Sequence, residues 1–416
     1  MIFRYDINLK GTIRKEKRIS LRGIRCFCIL AFLAVLLVSN TITASTYIVS
    51  AKSDDYSIQS AINKAREGDR IIVKSGTYPE RLNITKKLII IGVDTGEGLP
   101  VVDASEKRSA ITLFVDGIWL EGFTIANSGS SWQDSGIKVF SDNNLIRRNV
   151  LNNNSYGIYL RDSANNKIES NTAKGNDVGI ALQSSNDNMI LNNFAANNSF
   201  AGFFFGNSRN NTIRNNTGQT NAWVGFLFND TENSSIQGNT ATGNANAGIW
   251  LLNSRCNQIK ENNVSNGPIF GFVLDASINN TLSGNTAYRN LDGISMDISS
   301  SNIIIGNNVS SNMFGIYLDR SNMNLIYLNN FLGNGRHVYS YNSSNQWNLD
   351  KSCNYLYKSM MRYSDHIGNY WDEYEGIDEY ESGIGKIVYC NQFIMDRSPL
   401  VSRKEFYQII PALSFP

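Results

Sequence analysis

Between residues 136 and 348, hydrophobic positions recur in a pattern that repeats every 21 to 23 residues. Each repeat contains a glycine with apolar side chains one and three residues later, as in Ile249 and Leu251 after Gly248. This alternation over about four residues predicts a short strand with one buried face. The glycines are Gly136, Gly157, Gly179, Gly202, Gly225, Gly248, Gly271, Gly293 and Gly315.

A second apolar column predicts another short strand in each repeat. It consists of single aliphatic residues, from Ile146 to Ile326, each followed three residues later by an asparagine. No window of ten or more residues shows a 3.6-residue apolar period, so we expect no helix within the repeat. A leucine-rich repeat has a similar length but requires a helical or 3₁₀ return. The pattern therefore predicts an all-β parallel β-helix with one coil per 22–23 residues.

Asparagine is concentrated in the repeat: 48 of the 56 in the chain lie between Asn143 and Asn348. Because equivalent residues of successive coils stack about 4.8 Å apart, each asparagine amide can bond the ones above and below it. Asparagine also tolerates left-handed backbone, which a tight corner requires. We therefore predict that the column is architectural. Its members are Asn149, Asn171, Asn193, Asn216, Asn239, Asn262, Asn285, Asn307 and Asn329.

The segments around the repeat differ from it and suggest four regions. Residues 1–44 have a basic stretch before the apolar run 27–38 and small residues after it, the order of a cleaved secretory signal or, alternatively, a retained signal anchor. Residues 45–135 contain a predicted capping helix, Ser57–Ala65 with Ser57 as its N-cap, and irregular first coils. Residues 136–348 are the regular repeats, and residues 349–416 are a predicted C-terminal cap.

The distribution of charged residues indicates which partners and which location to expect. The formal net charge of +2 comes from the first 44 residues, which hold eight basic and two acidic side chains; the rest carries 30 basic and 34 acidic ones, a net of about −4. Without a basic stripe, nucleic acid is not an expected partner. We predict a secreted or cell-surface protein that touches a membrane only through its N-terminal segment.

Large apolar residues stand two positions after many of the glycines, where an alternating strand faces outward. They include Tyr159, Phe204, Trp250 and Tyr317, which we predict to be ligand-binding residues because sugar rings stack on exposed aromatic side chains. The alternative is that the C-terminal segment or another subunit covers this face. The sequence leaves both interpretations open.

Three aspartates, Asp275, Asp297 and Asp319, follow consecutive glycines by four residues. If the strands are in register, these carboxylates stack at about 5 and 10 Å, spacings that suit retaining and inverting glycosidases. They are the candidate catalytic residues if the protein is an enzyme. The alternative, which we favour, is that each forms an Asx-turn at the end of its strand.

Metal and thiol chemistry has few candidates. The chain has two histidines, and the one cluster of soft ligands is Met360 and Met361 near Cys353. We therefore predict neither a metal site nor a cofactor. Cys353 and Cys390 either form a disulfide or remain as two thiols.

Several stretches resemble a known family. They are "SIQSAINKAREGDRIIVKSGTYPERLNITKKLIIIG", the G-I-x-L and N-x-I-x-x-N coils, "GNYWDEY" and "DRSPLV". Together they resemble the NosD-like group of right-handed parallel β-helix proteins, with CASH repeats, in the pectin-lyase-like superfamily. The resemblance implies a carbohydrate-binding or scaffold protein without catalysis, whose partner is a polysaccharide or cell-envelope glycan. It also leaves two alternatives: a polysaccharide lyase, hydrolase or epimerase, and an accessory protein for copper-enzyme maturation.

Overall fold

The computed structural model describes residues 44–53, 57–359 and 361–410. The predicted signal segment therefore lies outside the described residues, except for Ala44. The compact unit that begins at Ser45 contains all the other described residues. No helix in these ranges is long and apolar enough to cross a membrane.

The chain forms a right-handed parallel β-helix of about 13 turns, spaced about 23 residues apart. Three long parallel sheets run along it, here called sheets 1, 2 and 3. Sheet 2 contains the strands predicted after the glycines, and sheet 1 contains those predicted before the asparagines. The fold prediction is thus confirmed; the sequence analysis did not locate sheet 3, whose strands begin directly after the asparagine column.

The strands of each sheet follow in chain order. Sheet 1 consists of Thr46–Val49, Arg70–Lys74, Ile89–Val93, Trp119–Glu121, Leu145–Arg147, Lys167–Glu169, Met189–Leu191, Thr212–Arg214, Ser235–Gln237, Gln258–Lys260, Thr281–Ser283, Ile303–Ile305 and Leu325–Tyr327. Sheet 2 consists of Leu82–Ile84, Ile111–Leu113, Ser135–Val139, Tyr156–Arg161, Val178–Gln183, Ala201–Gly206, Val224–Asn229, Ala247–Leu252, Phe270–Asp275, Asp292–Asp297, Phe314–Asp319 and Arg336–Tyr341. Sheet 3 consists of Thr77–Tyr78, Val101–Asp103, Thr124–Ala126, Val150–Asn152, Thr172–Lys174, Phe194–Ala196, Thr217–Gln219, Thr240–Thr242, Asn263–Ser265, Thr286–Tyr288, Asn308–Ser310, Asn330–Leu332 and Tyr370–Trp371.

The remaining elements lie near the two ends. A short helix spans Ile58–Lys64, and the Ser57 side chain accepts a hydrogen bond from the backbone N–H of Ser60, so the predicted helix and its N-cap are confirmed. The C-terminal region has a small antiparallel sheet, a two-stranded ribbon and a 3₁₀ turn. The sheet consists of Cys353–Tyr357, Met361–Asp365 and Tyr407–Ile409. The ribbon consists of Tyr389–Cys390 and Met395–Asp396, and the 3₁₀ turn spans Lys404–Phe406.

The interior is a stack of similar apolar layers. The phenyl rings of Phe203 and Phe226 lie parallel with centroids 4.5 Å apart, and those of Phe205 and Phe228 lie 4.7 Å apart. These distances match the spacing between neighbouring strands. Each coil therefore extends the core of the coil before it.

Buried polar ladders hold the corners of the coils. The described coils contain three asparagine columns, and the predicted column is one of them. In it, Asn239 donates from its Nδ2 to the Oδ1 of Asn262 (3.0 Å) and to the carbonyl of Ile213 (2.9 Å). Its Oδ1 accepts from the backbone N–H and the Nδ2 of Asn216. Asn369 continues this column after residue 348, bonded to Asn329. A further ladder of serines includes Ser254, Ser277 and Ser299.

The left-handed residue at each corner precedes the ladder residue. Glu261, with φ 55°, comes before Asn262, and Arg148, with φ 52°, comes before Asn149. The prediction that the column asparagines themselves adopt left-handed backbone is therefore wrong. One left-handed residue turns the chain, and the next side chain then points inward, where its amide bonds neighbouring coils.

Close packing between coils explains the glycine column. A Cβ added to Gly248 would lie 2.1 Å from the Cγ1 of Val264 and 3.0 Å from the carbonyl oxygen of Gly271. A Cβ on Gly179 would lie 2.5 Å from the carbonyl oxygen of Gly202. Glycine is needed because larger residues would push the coils apart.

Candidate functional site

Two of the outward side-chain positions in each coil of sheet 2 lie one residue before the glycine and two residues after it. Side chains at these positions pack together in clusters that are separate from the interior core. One cluster contains Tyr159, Val178, Ala181 and Ala201, and another contains Val224, Leu227, Ala247 and Val273. Both positions therefore belong to one outward surface.

Aromatic rings line this surface in what we call the aromatic strip. Its half-buried members are Tyr156, Phe204, Trp223, Trp250, Phe270, Phe314, Tyr317 and Tyr339. Neighbouring rings touch: the centroids of Trp223 and Trp250 are 5.2 Å apart, and Tyr317 stacks on Tyr339 at 4.9 Å.

Three of the four predicted ligand-binding residues, Phe204, Trp250 and Tyr317, are partly exposed in the strip. Tyr159 is only 3% exposed, and its ring centroid lies 5.0 Å from that of Tyr156. The expectation that position 159 faces solvent is therefore wrong. Its ring supports Tyr156, because side chains from two positions per coil share the surface.

The C-terminal segment contacts one end of the strip. The ring of Phe393 lies 5.2 Å from that of Tyr339 and under the guanidinium of Arg336. Among the ring contacts of the described residues, this pair alone joins the C-terminal segment to the strip. The predicted covering of this face by the C-terminal segment is thus observed at the last coil.

The three predicted aspartates lie beside the strip in register: Asp275 pairs with Asp297, and Asp297 pairs with Asp319. The guanidinium of Arg320 bonds the carboxylates of Asp297 (2.9 Å) and Asp319 (3.3 Å). The sequence analysis missed Arg320 as a partner for the column, although it directly follows Asp319. Asp275 lies outside this ion-paired group, and burial together with the charge of Asp297 raises its pKa.

The turns after these strands are not Asx-turns in the described structure. The backbone carbonyl of each aspartate accepts the hydrogen bond, from the hydroxyl of Ser277, Ser299 or Ser321 two residues later. The carboxylates of Asp297 and Asp319 bond Arg320 instead. The favoured Asx-turn interpretation is therefore wrong, because the serine ladder already holds this corner.

Asp292 is a site residue that the sequence analysis missed. It occupies the position before Gly293, where the paired residues of the adjacent coils are Phe270 and Phe314. Its side chain is 5% exposed, and burial raises its pKa to about 6. Reading the column before the glycines would have found it, because the column is otherwise largely apolar from position 156 to position 314.

Two overlapping segments, residues 62–266 and 219–376, match the family described as periplasmic copper-binding protein (NosD). Together they cover well over half of the chain. This chain belongs to the NosD family. No curated protein matches the sequence.

Solved structures similar to this NosD-family chain are also parallel β-helices. The catalytic domain of GH87 α-1,3-glucanase in complex with nigerose has 13% identity and a TM-score of 0.57, covering 72% of this chain and 68% of that one. The A-module of the Azotobacter vinelandii mannuronan C-5 epimerase AlgE6 has 17% identity and a TM-score of 0.48, covering 70% and 93%. The periplasmic alginate epimerase AlgG has 17% identity and a TM-score of 0.48, covering 67% and 77%. At such identities the similarity shows the fold alone.

The family description raises the question of whether these residues fit copper. In the described ranges, no group of three or more His, Cys, Asp or Glu side chains could hold a metal ion. Cys353 lies opposite Asp365 on the neighbouring antiparallel strand, and the Asp365 carboxylate lies 3.4 Å from the Nδ1 of His366. These three residues do not form a group that could hold a metal ion. Cys256, Cys353 and Cys390 are all free thiols. Met360 lies outside the described residues, and the sulfur of Met361 accepts from the Tyr363 hydroxyl. The donor set does not fit a copper site.

Proposed function

We propose that this protein is an extracytoplasmic glycan-binding β-helix without catalytic turnover, and that the aromatic strip is its binding surface. The observation that carries the proposal is the row of partly exposed rings along the outward face of sheet 2. Aromatic side chains combine a large apolar contact area with little loss of conformational freedom. Rings spaced at successive coils suit an extended ligand better than a small one.

Binding without turnover is proposed because Asp297 and Asp319, which share Arg320, are alike in environment and do not form an acid and a base with separated roles. Asp275, whose pKa is raised, is the remaining candidate for a proton donor, and the turnover assay below tests it. The extracytoplasmic location is supported by the family description and by the N-terminal charge and apolar pattern. Fractionation of producing cells tests the location: recovery in the cytosol would contradict it.

The decisive experiment for the strip uses the purified chain and a glycan array, followed by calorimetry with the oligosaccharides that bind. We expect Tyr317→Ala to weaken binding by about tenfold, because removing about 50 Å² of apolar contact corresponds to about 1.3 kcal/mol. Tyr317→Phe retains the ring and should bind nearly as wild type. Tyr288→Ala removes a half-buried ring from sheet 3 and serves as the matched control.

Three outcomes would contradict the proposal. The first is an array that captures nothing, and the second is equal loss of binding in Tyr288→Ala and Tyr317→Ala. The third is the appearance of new reducing ends or unsaturated uronates during incubation, which would show turnover and favour a polysaccharide-active enzyme.

A further inference from the structure

Two coils within the aromatic strip carry no ring: that of strand Val178–Gln183, where the outward positions hold the apolar Val178 and Ala181, and that of strand Asp292–Asp297, where they are polar. On the coil before Asp292–Asp297 these two positions hold Phe270 and Val273, and on the coil after it they hold Phe314 and Tyr317. The coil between them presents Asp292 and Ser295, which are smaller and polar. Because neighbouring strands lie about 4.8 Å apart, the flanking side chains stand about 10 Å apart across this gap. We call it the Asp292 notch.

Asp292 is only 5% exposed, and its carboxyl oxygens are not among the fully buried unpaired atoms of the described residues, so they keep a small area open to a ligand. Within the described chain no hydrogen bond or ion pair reaches its carboxyl group, and burial is the sole cause of its raised pKa. Buried polar groups in folded proteins nearly always have partners, so an exception calls for an explanation. Its charge also contributes to the raised pKa of Tyr317, which places the carboxyl near that ring of the strip.

The fold does not require an acid at this position. Equivalent coils hold Val178, Ala201, Val224 and Ala247, all buried and apolar. A valine here would pack against its neighbours without an unpaired polar atom. The carboxyl group therefore does not contribute to the packing of its coil, and it is available to bind a partner outside the chain.

We propose that the Asp292 notch is a subsite for one ring of a neutral glycan, with the Asp292 carboxyl group hydrogen-bonding its hydroxyl groups between Phe270 and Phe314. This inference rests on the proposed function and specifies where on the strip the ligand is recognised. The hydroxyl of Ser295, on the same strand, is the second polar group in the notch.

The charges around the notch determine the class of glycan. Asp275, Asp297 and Asp319 follow the same edge of the strip, and Arg320 offsets part of their charge. A polyuronate would bring a carboxylate to each ring beside this acidic column, and like charges at these distances repel. A neutral sugar meets no such repulsion, and its hydroxyl groups can donate hydrogen bonds to the Asp292 carboxylate.

The test measures binding of six-unit neutral oligosaccharides (maltohexaose, cellohexaose and laminarihexaose) and of galacturonate and mannuronate hexamers by calorimetry. We expect wild type to prefer a neutral hexamer, and Asp292→Val to weaken that binding by at least about tenfold. Valine is the residue of two equivalent coils, so this variant should fold, which its melting temperature checks. Asp292→Asn keeps hydrogen-bonding groups and should bind within about threefold of wild type. Glu67→Val, at an exposed turn residue without left-handed backbone, controls for loss of an acid elsewhere.

Each outcome separates the two proposals. If wild type binds a neutral hexamer and Tyr317→Ala weakens it while Asp292→Val does not, the strip is the binding surface and the notch is not a subsite. If wild type prefers a uronate hexamer, the neutral class is wrong. If wild type binds none of the hexamers, the notch is not a subsite for a neutral glycan of this kind, and the glycan array decides the binding function separately.

Discussion

Asn239 and Asp292 are both buried polar residues on the β-helix, and they differ completely in how they are satisfied. Asn239 takes part in four side-chain hydrogen bonds that link three successive coils. The carboxyl group of Asp292 has no partner among the described residues, although Asp292 is only 5% exposed. One side chain completes the interior, and the other lowers the stability of its coil.

The difference shows which buried polar residues belong to the architecture. A residue that repeats in every coil and is fully bonded supports the fold, because each copy satisfies its neighbours. A polar residue whose equivalents in the two neighbouring coils are apolar, as Asp292 is between Phe270 and Phe314, contradicts the local pattern. Such departures are expected where a protein binds or acts on something.

Breaking the asparagine ladder should give the largest effect. Asn239→Ala leaves the backbone N–H and the amide of Asn216 without their acceptor and the carbonyl of Ile213 without its donor. At about 1–3 kcal/mol for each unsatisfied buried group, we expect a loss of about 3–5 kcal/mol in the free energy of unfolding. Urea denaturation followed by far-UV circular dichroism measures it.

The matched control for the ladder is Asn263→Ala, an exposed asparagine one coil later in sheet 3. We expect this variant to stay within about 0.5 kcal/mol of wild type. Similar losses in both variants would contradict the ladder as the source of stability.

Replacing Asp292 should act in the opposite direction. Burial raises the folded-state pKa of Asp292 to about 6, above the value of about 3.9 in an unfolded chain. The folded state therefore binds this proton more tightly than the unfolded chain does. The contribution of Asp292 to the free energy of unfolding is greatest below about pH 4 and is lost as the pH rises through about 6. Asp292→Asn stays neutral, so at pH 7 we expect it to be more stable than wild type by up to about 3 kcal/mol.

The pH dependence of this difference is the sharper test. Tyr317 is the titratable group affected by the charge of Asp292, whereas Asp275, Asp297, Asp319 and Arg320 lie at or beyond the opposite ends of these strands; all of them remain in the variant. Asp396, whose buried carboxyl group also has a pKa near 6, is likewise unchanged. The difference in melting temperature between the two proteins should therefore disappear below about pH 4. A difference that persists there would show that the effect is not due to the Asp292 charge.

The repeat itself was predictable because its determinants are local and recur. The period, the glycine column and the asparagine column follow from side chains stacking coil upon coil, so Gly248 and Asn239 could be assigned before the structure was known. The capping helix was predictable for a similar reason, since Ser57 and the apolar face of Ile58–Lys64 lie within one short stretch.

The candidate site was only partly predictable because it depends on contacts between coils. Burial of Tyr159 depends on Tyr156, which belongs to a column that the period-two pattern does not mark as outward. The bond from Arg320 to Asp297 crosses from one coil to the previous one. Asp292 could not be predicted from the columns after each glycine, because it lies one residue before Gly293.

The smallest expected effect concerns the acidic column beside the notch. The side chain of Arg320 is 53% exposed, and its ion pairs with Asp297 and Asp319 are therefore of the surface kind, which contribute about 0–1 kcal/mol. We expect Arg320→Gln to lower the free energy of unfolding by less than about 1 kcal/mol, since two neighbouring carboxylates lose a shared cation. The loss should shrink toward zero in 1 M salt, where charges are screened beyond about 3 Å.

The control is Arg209→Gln. Arg209 is an exposed arginine that follows the sheet 2 strand of an earlier coil, and its replacement should show neither the loss nor the salt dependence. A salt-independent loss in Arg320→Gln would mean that the arginine acts through packing of its methylene groups, and the charge argument for the column would then be wrong.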